Sequence, residues 1–144
     1  MLEQIQKWYD WLKQATSAEA EELAHVYSDG RQLWARDGYS LHARQVATAQ
    51  QGRVSLDEAG LLQVSTAPLP DVAASLPAST PTASVVVARD RLLQALAGQD
   101  RYVRLALFAP DEAVELSSAG AYALVMPVVG LEDEDFWRPD LRED

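Results

Sequence analysis

The segment from residue 84 to residue 130 constrains the fold more than any other part of the chain. It begins with a β-branched run at 84–87, which predicts a short strand. Three leucines follow at the spacing of one helix face, and Gly98 can end that helix. These leucines are Leu92, Leu93 and Leu96. The segment therefore opens with a predicted strand and a predicted helix.

The rest of this segment predicts a three-stranded antiparallel meander. Apolar and polar residues alternate over 102–109, a second strand covers 113–117, and a nearly all-apolar strand covers 121–129. Turn residues separate these strands at 110–111 and at 118–120. A helix packed on an antiparallel sheet indicates the α+β class.

Residues 2–15 predict an amphipathic helix. The apolar residues share one arc of the helical wheel, and charged and amide side chains share the opposite arc. The apolar arc consists of Leu2, Ile5, Trp8, Tyr9, Leu12 and Ala15. We expect this arc to pack on a sheet. The alternative is that its aromatic residues form a stripe that binds a partner. A second helical turn at 18–24, capped by Thr16 or Ser17, is predicted to follow.

Two Asp-Gly turns, at 29–30 and 37–38, bracket a predicted strand at 31–36, which pairs with a second strand at 39–46. A further hairpin is predicted from Arg53–Leu56 and Leu61–Ser65, which flank a turn at 57–60 that ends in Gly60. The first 65 residues therefore also combine a helix with antiparallel strands.

Residues 66–83 hold four of the seven prolines and show no clear periodicity, so we expect an extended connector. The connector separates 1–65 from 84–130, and both parts combine a helix with antiparallel strands. We therefore predict one α+β domain over residues 1–130, built from two similar halves and followed by an acidic tail.

Composition places the chain among soluble proteins. Its 144 residues, 48% of them hydrophobic, are enough for one domain with a core. No apolar run approaches the ~18 residues of a membrane span, and the first residues lack the apolar core of a signal peptide. The chain has no cysteine, which excludes disulfides and thiolate metal sites and favours a cytoplasmic location.

The net charge of −10 is concentrated at the C-terminus. Residues 131–144 carry seven acids against two arginines. Such a surface repels phosphate, so free DNA or RNA is a poor default partner. The tail also contains Phe136 and Trp137, which leaves two interpretations: a solvated tail, or a short docking segment.

Motifs of catalysis are missing from the sequence. His25 and His42 are far apart and have no second ligand three or four residues away, so we expect no metal site. The nucleophile elbow, the phosphate-binding loop and the dinucleotide fingerprint are all absent. We therefore expect a non-enzymatic protein without a cofactor.

The order of motifs over 84–129 resembles the repeating half-domain of the bacterial DNA polymerase sliding clamp, the β subunit. That family has a valine-rich strand, a helix of the pattern L-x-x-a-L, a V-R-L-type strand, a second strand and a final strand Y-x-V-M-P. The matching residues here are Val85–Val87, Leu92–Leu96, Val103–Leu105, Val114–Leu116 and Tyr122–Pro127. The family's T-D-G-x-R-L turn is similar to Ser28–Leu33, and Leu56–Leu62 is a second register that the sequence leaves open.

The resemblance implies a groove that binds short linear motifs of replication or repair proteins. Its walls would be Gly30, Arg31 and Leu33 on one side and Val125, Met126, Pro127 and Val128 on the other. A flexible methionine beside a proline suits an adaptable apolar groove. The alternative is that Met126 lies in the core and Pro127 merely ends an edge strand.

The resemblance also implies a homo-oligomeric ring, which would assemble through exposed edge strands. Arg89 and Arg91 are the residues that would face DNA, and Lys7 and Lys13 are offset by neighbouring acids. These cations are too few to neutralise several phosphates, so the sequence gives DNA contact little support.

Two other functions remain open. A small acidic inhibitor or immunity-type protein would act through the tail, with Phe136 and Trp137 entering a basic partner. An NTF2-like ligand-binding or catalytic domain would need an apolar pocket that encloses His25 or His42 together with a carboxylate.

Overall fold

The computed structural model describes residues 2–72, 76–77 and 79–139, and it has the predicted α+β architecture. The described residues form two compact units: one holds those up to Pro77 together with Arg138 and Pro139, and the other holds residues 79–137. Helix α1 spans Leu2–Lys13 and helix α2 spans Arg89–Ala97. The strands are β1 Val26–Ser28, β2 Gln32–Arg36, β3 Leu41–Gln45, β4 Gly52–Leu56, β5 Leu62–Ser65, β6 Arg104–Ala106, β7 Val114–Ser117 and β8 Tyr122–Val125.

The first unit is a five-stranded antiparallel sheet in the order β3-β2-β1-β4-β5. Alternation along the strands sends side chains to both faces. Helix α1 covers one face, and the connector covers the other, where Leu69 and Val72 contact Tyr27 and Trp34. The core under α1 consists of Leu12, Ala15, Val26, Leu33, Ala35 and Val54. The apolar side chains on both faces of this sheet are therefore buried, and they form the hydrophobic core of the unit.

Strand β1 was not predicted, and its burial explains why. All three of its residues are buried, because the strand lies at the centre of a sheet covered on both sides. A short strand that is buried on both faces lacks the alternation that marks a half-exposed strand. The predicted helical turn at 18–24 is smaller than expected, a 3-10 turn at Glu21–Leu23, because Ala20 at its start has no side-chain acceptor for a cap.

The second unit is an antiparallel sheet in the order β6-β7-β8, and α2 packs on one face of it. Val114, Leu116 and Val125 form its buried core, and Leu92 and Ala95 of α2 pack against them. This helix and meander were predicted from the sequence.

Two predicted strands in this unit differ from the structure. Residues 84–87 form no strand, although the N–H of Val128 donates to the carbonyl oxygen of Val86 at 2.8 Å. Strand β8 ends at Val125 rather than at residue 129, because Pro127 lacks an N–H and restricts the residue before it.

Among the described residues of 66–83, none belongs to a helix or a strand. No helix in the described part of the chain is both long enough and apolar enough to cross a membrane.

Candidate functional site: a groove between α2 and β8

A groove of about 590 Å³ lies between helix α2 and strand β8. Helix α2 contributes Arg91, Gln94 and Ala95 to its walls, and β8 with the residue after it contributes Ala123, Leu124, Val125 and Met126. Most of these side chains are apolar, and Arg91 is the only ionisable residue among them. The groove therefore offers an apolar surface with one positive charge.

The turn between β7 and β8 holds the groove in shape. The N–H of Gly120 donates to Oδ2 of Asp100 at 2.8 Å, just beyond the end of α2. The hydroxyl of Ser118 donates to Oε1 of Gln99 at 2.8 Å and accepts the N–H of Asp100 at 3.1 Å. These bonds tie the β7–β8 hairpin to the end of the helix, so the two walls are fixed relative to each other.

Met126 is accessible in this groove and does not lie in the core. Its exposed fraction is 67%, whereas Val125 beside it is buried against Val114 and Leu116. The structure thus separates two roles that the sequence could not distinguish: Val125 anchors the strand, and Met126 presents a flexible apolar side chain at the surface.

The other predicted groove residues lie elsewhere. Pro127 and Val128 follow the groove, and the N–H of Val128 is occupied by Val86. Gly30, Arg31 and Leu33 belong to the first unit. Leu33 is only 2% exposed because it is a core residue of the larger sheet, so its side chain is not available to a partner.

The polar groups of the turn at Asp29 make their hydrogen bonds within the first unit. Oδ1 of Asp29 accepts the N–H of Arg31 at 2.9 Å and the N–H of Gln32 at 3.0 Å. The carbonyl oxygen of Gly30 accepts the N–H of Thr48 at 2.9 Å. These bonds explain a well-formed turn without requiring a partner.

The second Asp-Gly turn, in contrast, lies beside a pocket of about 300 Å³. Leu23, Arg36, Gly38, Tyr39, Ser40 and Leu41 line this pocket, and Tyr39 is 97% exposed. Both this turn and the one at 29–30 have the sequence Asp-Gly-x-x-Leu, whereas the other register that the sequence left open, Leu56–Leu62, forms the turn of the β4–β5 hairpin. The two turns differ in burial, since Leu33 is enclosed by the core and Leu41 is only partly buried.

The carboxylate of Asp37 organises this second turn. Its Oδ1 accepts the N–H groups of Tyr39 and Ser40, each at 2.8 Å, and these two bonds, that of Tyr39 foremost, lower the pKa of Asp37. Because the pKa in the folded protein is depressed, the bonds stabilise the turn at neutral pH and are lost as the pH falls through that lowered pKa.

We expect an NMR pH titration to show this effect directly. The Asp37 carboxyl carbon and the Tyr39 and Ser40 amides should titrate together, with a midpoint below 3.8, the ordinary value for aspartate. Asp37→Asn should remove the titration from both amides. A midpoint at or above the ordinary value would contradict the capping geometry.

The two histidines have structural partners. Nδ1 of His42 lies 2.7 Å from the carbonyl oxygen of Trp11, and the two rings stack with centroids 4.2 Å apart. His25 lies 3.2 Å from Glu21, which also pairs with Arg53 at 2.9 Å. Hydrogen bonding by His25, followed by the charge of Arg53, lowers the pKa of Glu21.

No group of three or more potential metal ligands occurs among the described residues. The predicted DNA-facing arginines are both on α2: Arg89 pairs with Asp90 at 3.1 Å, and Arg91 lines the groove.

The described part of the tail forms a short ordered turn. A 3-10 turn at Asp133–Asp135 begins with a capping box, in which the carboxylate of Asp135 accepts the N–H of Glu132 at 2.8 Å. Phe136 and Trp137 follow it and are each about half-exposed. Comparisons with family models, with curated proteins and with solved structures found no match to this chain.

Proposed function

We propose that this protein is a non-enzymatic interaction module, similar to a sliding-clamp domain, that docks a linear segment of a protein partner in the groove between α2 and β8. The observation that carries the proposal is the exposed Met126 in an apolar groove whose walls are fixed by hydrogen bonds. Pre-formed apolar clefts with a few polar groups are the usual form of binding sites.

The clamp-like part of the proposal is supported by the arrangement of each unit. The first unit has a helix on an antiparallel sheet, and so does the second. We propose that these units are the two similar halves expected from the sequence, with 66–83 as their connector. Replication or repair proteins are then the class of partner, and the lack of cysteine favours the cytoplasm.

We assign the Asp-Gly contribution to the turn at Gly38–Leu41 rather than to Gly30–Leu33. The turn at 37–38 is beside a pocket, while the Leu33 side chain is enclosed by the core. The pocket at Gly38–Leu41 is a second surface of the module, within its first unit, and its role can be tested independently with Tyr39→Glu.

A peptide selection tests the proposed function. Random linear peptides displayed on phage are selected on the immobilised full chain, and a selected peptide is measured against variants. Met126→Glu should weaken its binding at least about tenfold, a loss of about 1.4 kcal/mol, because it places a charge in the apolar groove. Val129→Glu is the matched control, since Val129 is also exposed but does not line the groove. Equal affinity for the wild type and Met126→Glu would contradict the groove.

The acidic tail is the second candidate, because the tail keeps two aromatic side chains half-exposed among acids. Deleting residues 131–144 separates the two functions. Partner binding that survives the deletion supports the groove, and binding that disappears supports the tail. The NTF2-like alternative gains no support, since none of the recesses described above is lined by His25 or His42.

Self-association is a separate element of the clamp-like proposal. Edge strands β3, β5, β6 and β8 each leave one side unpaired within their sheets, which is a common route to pairing between copies. We expect light scattering to give a molar mass that rises above 15.8 kDa with concentration. A mass that stays at the monomer value over a wide range would remove the ring and leave the groove unaffected.

A further inference from the structure

We propose that the groove binds its partner by strand addition: an extended segment pairs with the free edge of β8 and places an acidic side chain beside Arg91. This inference rests on the proposed function, which requires only that some linear segment occupies the groove. It adds the conformation of that segment and its chemistry.

The lining of the groove identifies a strand edge. Four consecutive residues, Ala123–Met126, contribute to one wall. Successive side chains of a strand point to opposite faces of the sheet, so a cleft over one face would be lined by alternate residues. The cleft instead contains three strand residues in succession, Ala123, Leu124 and Val125, with Met126 just beyond the end of β8, and this pattern points to a cleft that follows the edge of the strand.

The hairpin shows which backbone groups of β8 face its neighbour β7. The N–H of Ser118 donates to the carbonyl oxygen of Ala121 at 3.0 Å, so these two residues form a hydrogen-bonded pair. Bonded and non-bonded pairs alternate along an antiparallel ladder. With the observed register, the next bonded residues on β8 are Ala123 and Val125, whose N–H and C=O groups point towards β7.

It follows that Tyr122 and Leu124 direct their N–H and C=O groups away from β7, towards the open edge. Among the described residues, neither makes a backbone hydrogen bond to a segment outside its sheet. Further along, the edge is covered, because Val128 donates to Val86. The free stretch is therefore short: Leu124 lines the groove, and Tyr122 directly precedes Ala123, the first residue of β8 that lines it. Such an edge beside a helix is suited to receiving a strand from another protein.

The positive charge of Arg91 favours partner segments that carry an acidic residue. Arg91 is exposed, and it makes no ion pair with any described residue. A carboxylate on the incoming strand would supply one, while the apolar walls favour apolar residues at the flanking positions. The negative charge of the rest of the chain acts over longer distances, and at physiological ionic strength it is screened beyond about 8 Å.

Three capped heptapeptides test this inference on the full chain. The first alternates valine with threonine and carries one central glutamate in place of a threonine. The second has lysine in place of the glutamate. The third has the glutamate sequence with N-methyl groups on alternate backbone amides of the bonding edge, which removes those donors and blocks strand pairing.

Amide hydrogen exchange measured by NMR provides the readout. The glutamate peptide should slow exchange at Tyr122 and Leu124 at least about tenfold, with little change at Ala123 and Val125, which are already bonded to β7. The lysine peptide should bind at least about tenfold more weakly, and the N-methylated peptide should not bind. Arg91→Glu should reverse the preference for glutamate over lysine, and its unchanged spectrum elsewhere would show that it is folded.

Other results would overturn the inference. Binding in the groove without protection of Tyr122 and Leu124, or equal binding of the N-methylated peptide, would exclude strand addition and leave the proposed function intact. Equal affinities for the two charged peptides would exclude the acidic segment. Protection of the same two amides in the free protein that grows with concentration would mean that a second copy covers the edge. Failure of every segment, including those selected by display, to bind the groove would reject the proposed function itself.

Discussion

Gly52→Ala is expected to lower the free energy of unfolding of the first unit by about 3 kcal/mol or more, through backbone strain and a steric clash. Gly52 has a φ of 153°, a conformation that residues with a side chain rarely adopt. A Cβ built there would overlap the carbonyl oxygen of Ser65, and it would lie 2.8 Å from the carbonyl carbon of Ser65 and 3.1 Å from the nitrogen of Ala67. These are backbone atoms of β5 and its continuation, so relief requires displacing the β4–β5 pairing.

Gly98→Ala is the matched control. Gly98 has an ordinary φ of −97°, and a Cβ there would meet no atom within 4 Å. We expect its free energy of unfolding, measured by urea denaturation followed by circular dichroism, to stay within about 0.5 kcal/mol of the wild-type value. If Gly52→Ala were as stable as Gly98→Ala, the close approach of β4 to Ser65 would be incorrect.

Leu116→Ala is expected to destabilise the second unit by about 2–5 kcal/mol. Leu116 is 0% exposed at the centre of β7, and it contacts the other core residues beneath α2. The cavity left by the missing side chain has few neighbours that could fill it, because this sheet has only three strands. Loss of the core would also remove the surface on which α2 rests, and with it one wall of the groove.

Leu124→Ala provides the comparison within the same sheet. Leu124 is 50% exposed and lines the groove, so its truncation should cost about 0.5 kcal/mol or less. The measurement is amide exchange of second-unit residues at equilibrium, because it reports on that unit alone. Equal losses for the two leucines would contradict the assignment of one to the core and the other to the groove.

Patterns within single elements predicted much of this fold. The apolar arc of α1, the leucine spacing of α2 and the turn residues of the hairpins all identified elements that the structure contains. Strand β1 is buried and lacks alternation, so it was not predicted. Residues 84–87 were predicted as a strand, but the backbone hydrogen bond from Val128 to Val86 does not extend into a strand pairing. In both cases tertiary context, which a local pattern does not record, decided the outcome.

The candidate site was predicted only in part, for a similar reason. The Met126-Pro127 pair drew attention to the end of β8, but the exposure of Met126 depends on how α2 packs on the sheet, which the sequence around Met126 does not record. Arg91, Gln94 and Ala95 were not predicted as groove residues, since their spacing matches any exposed helix face. The two Asp-Gly-x-x-Leu sequences do not record burial, which in the structure encloses Leu33 and leaves Leu41 partly exposed.

An amide chemical-shift map with a display-selected peptide is the most direct test of docking in the groove between α2 and β8. Docking there predicts that the largest changes fall on residues 91–95 of α2 and on residues 122–126, and that Met126→Glu abolishes them while Val129→Glu does not. Changes confined to the turn at Gly38–Leu41, or to Phe136 and Trp137, would contradict it and assign partner binding to another surface of the chain.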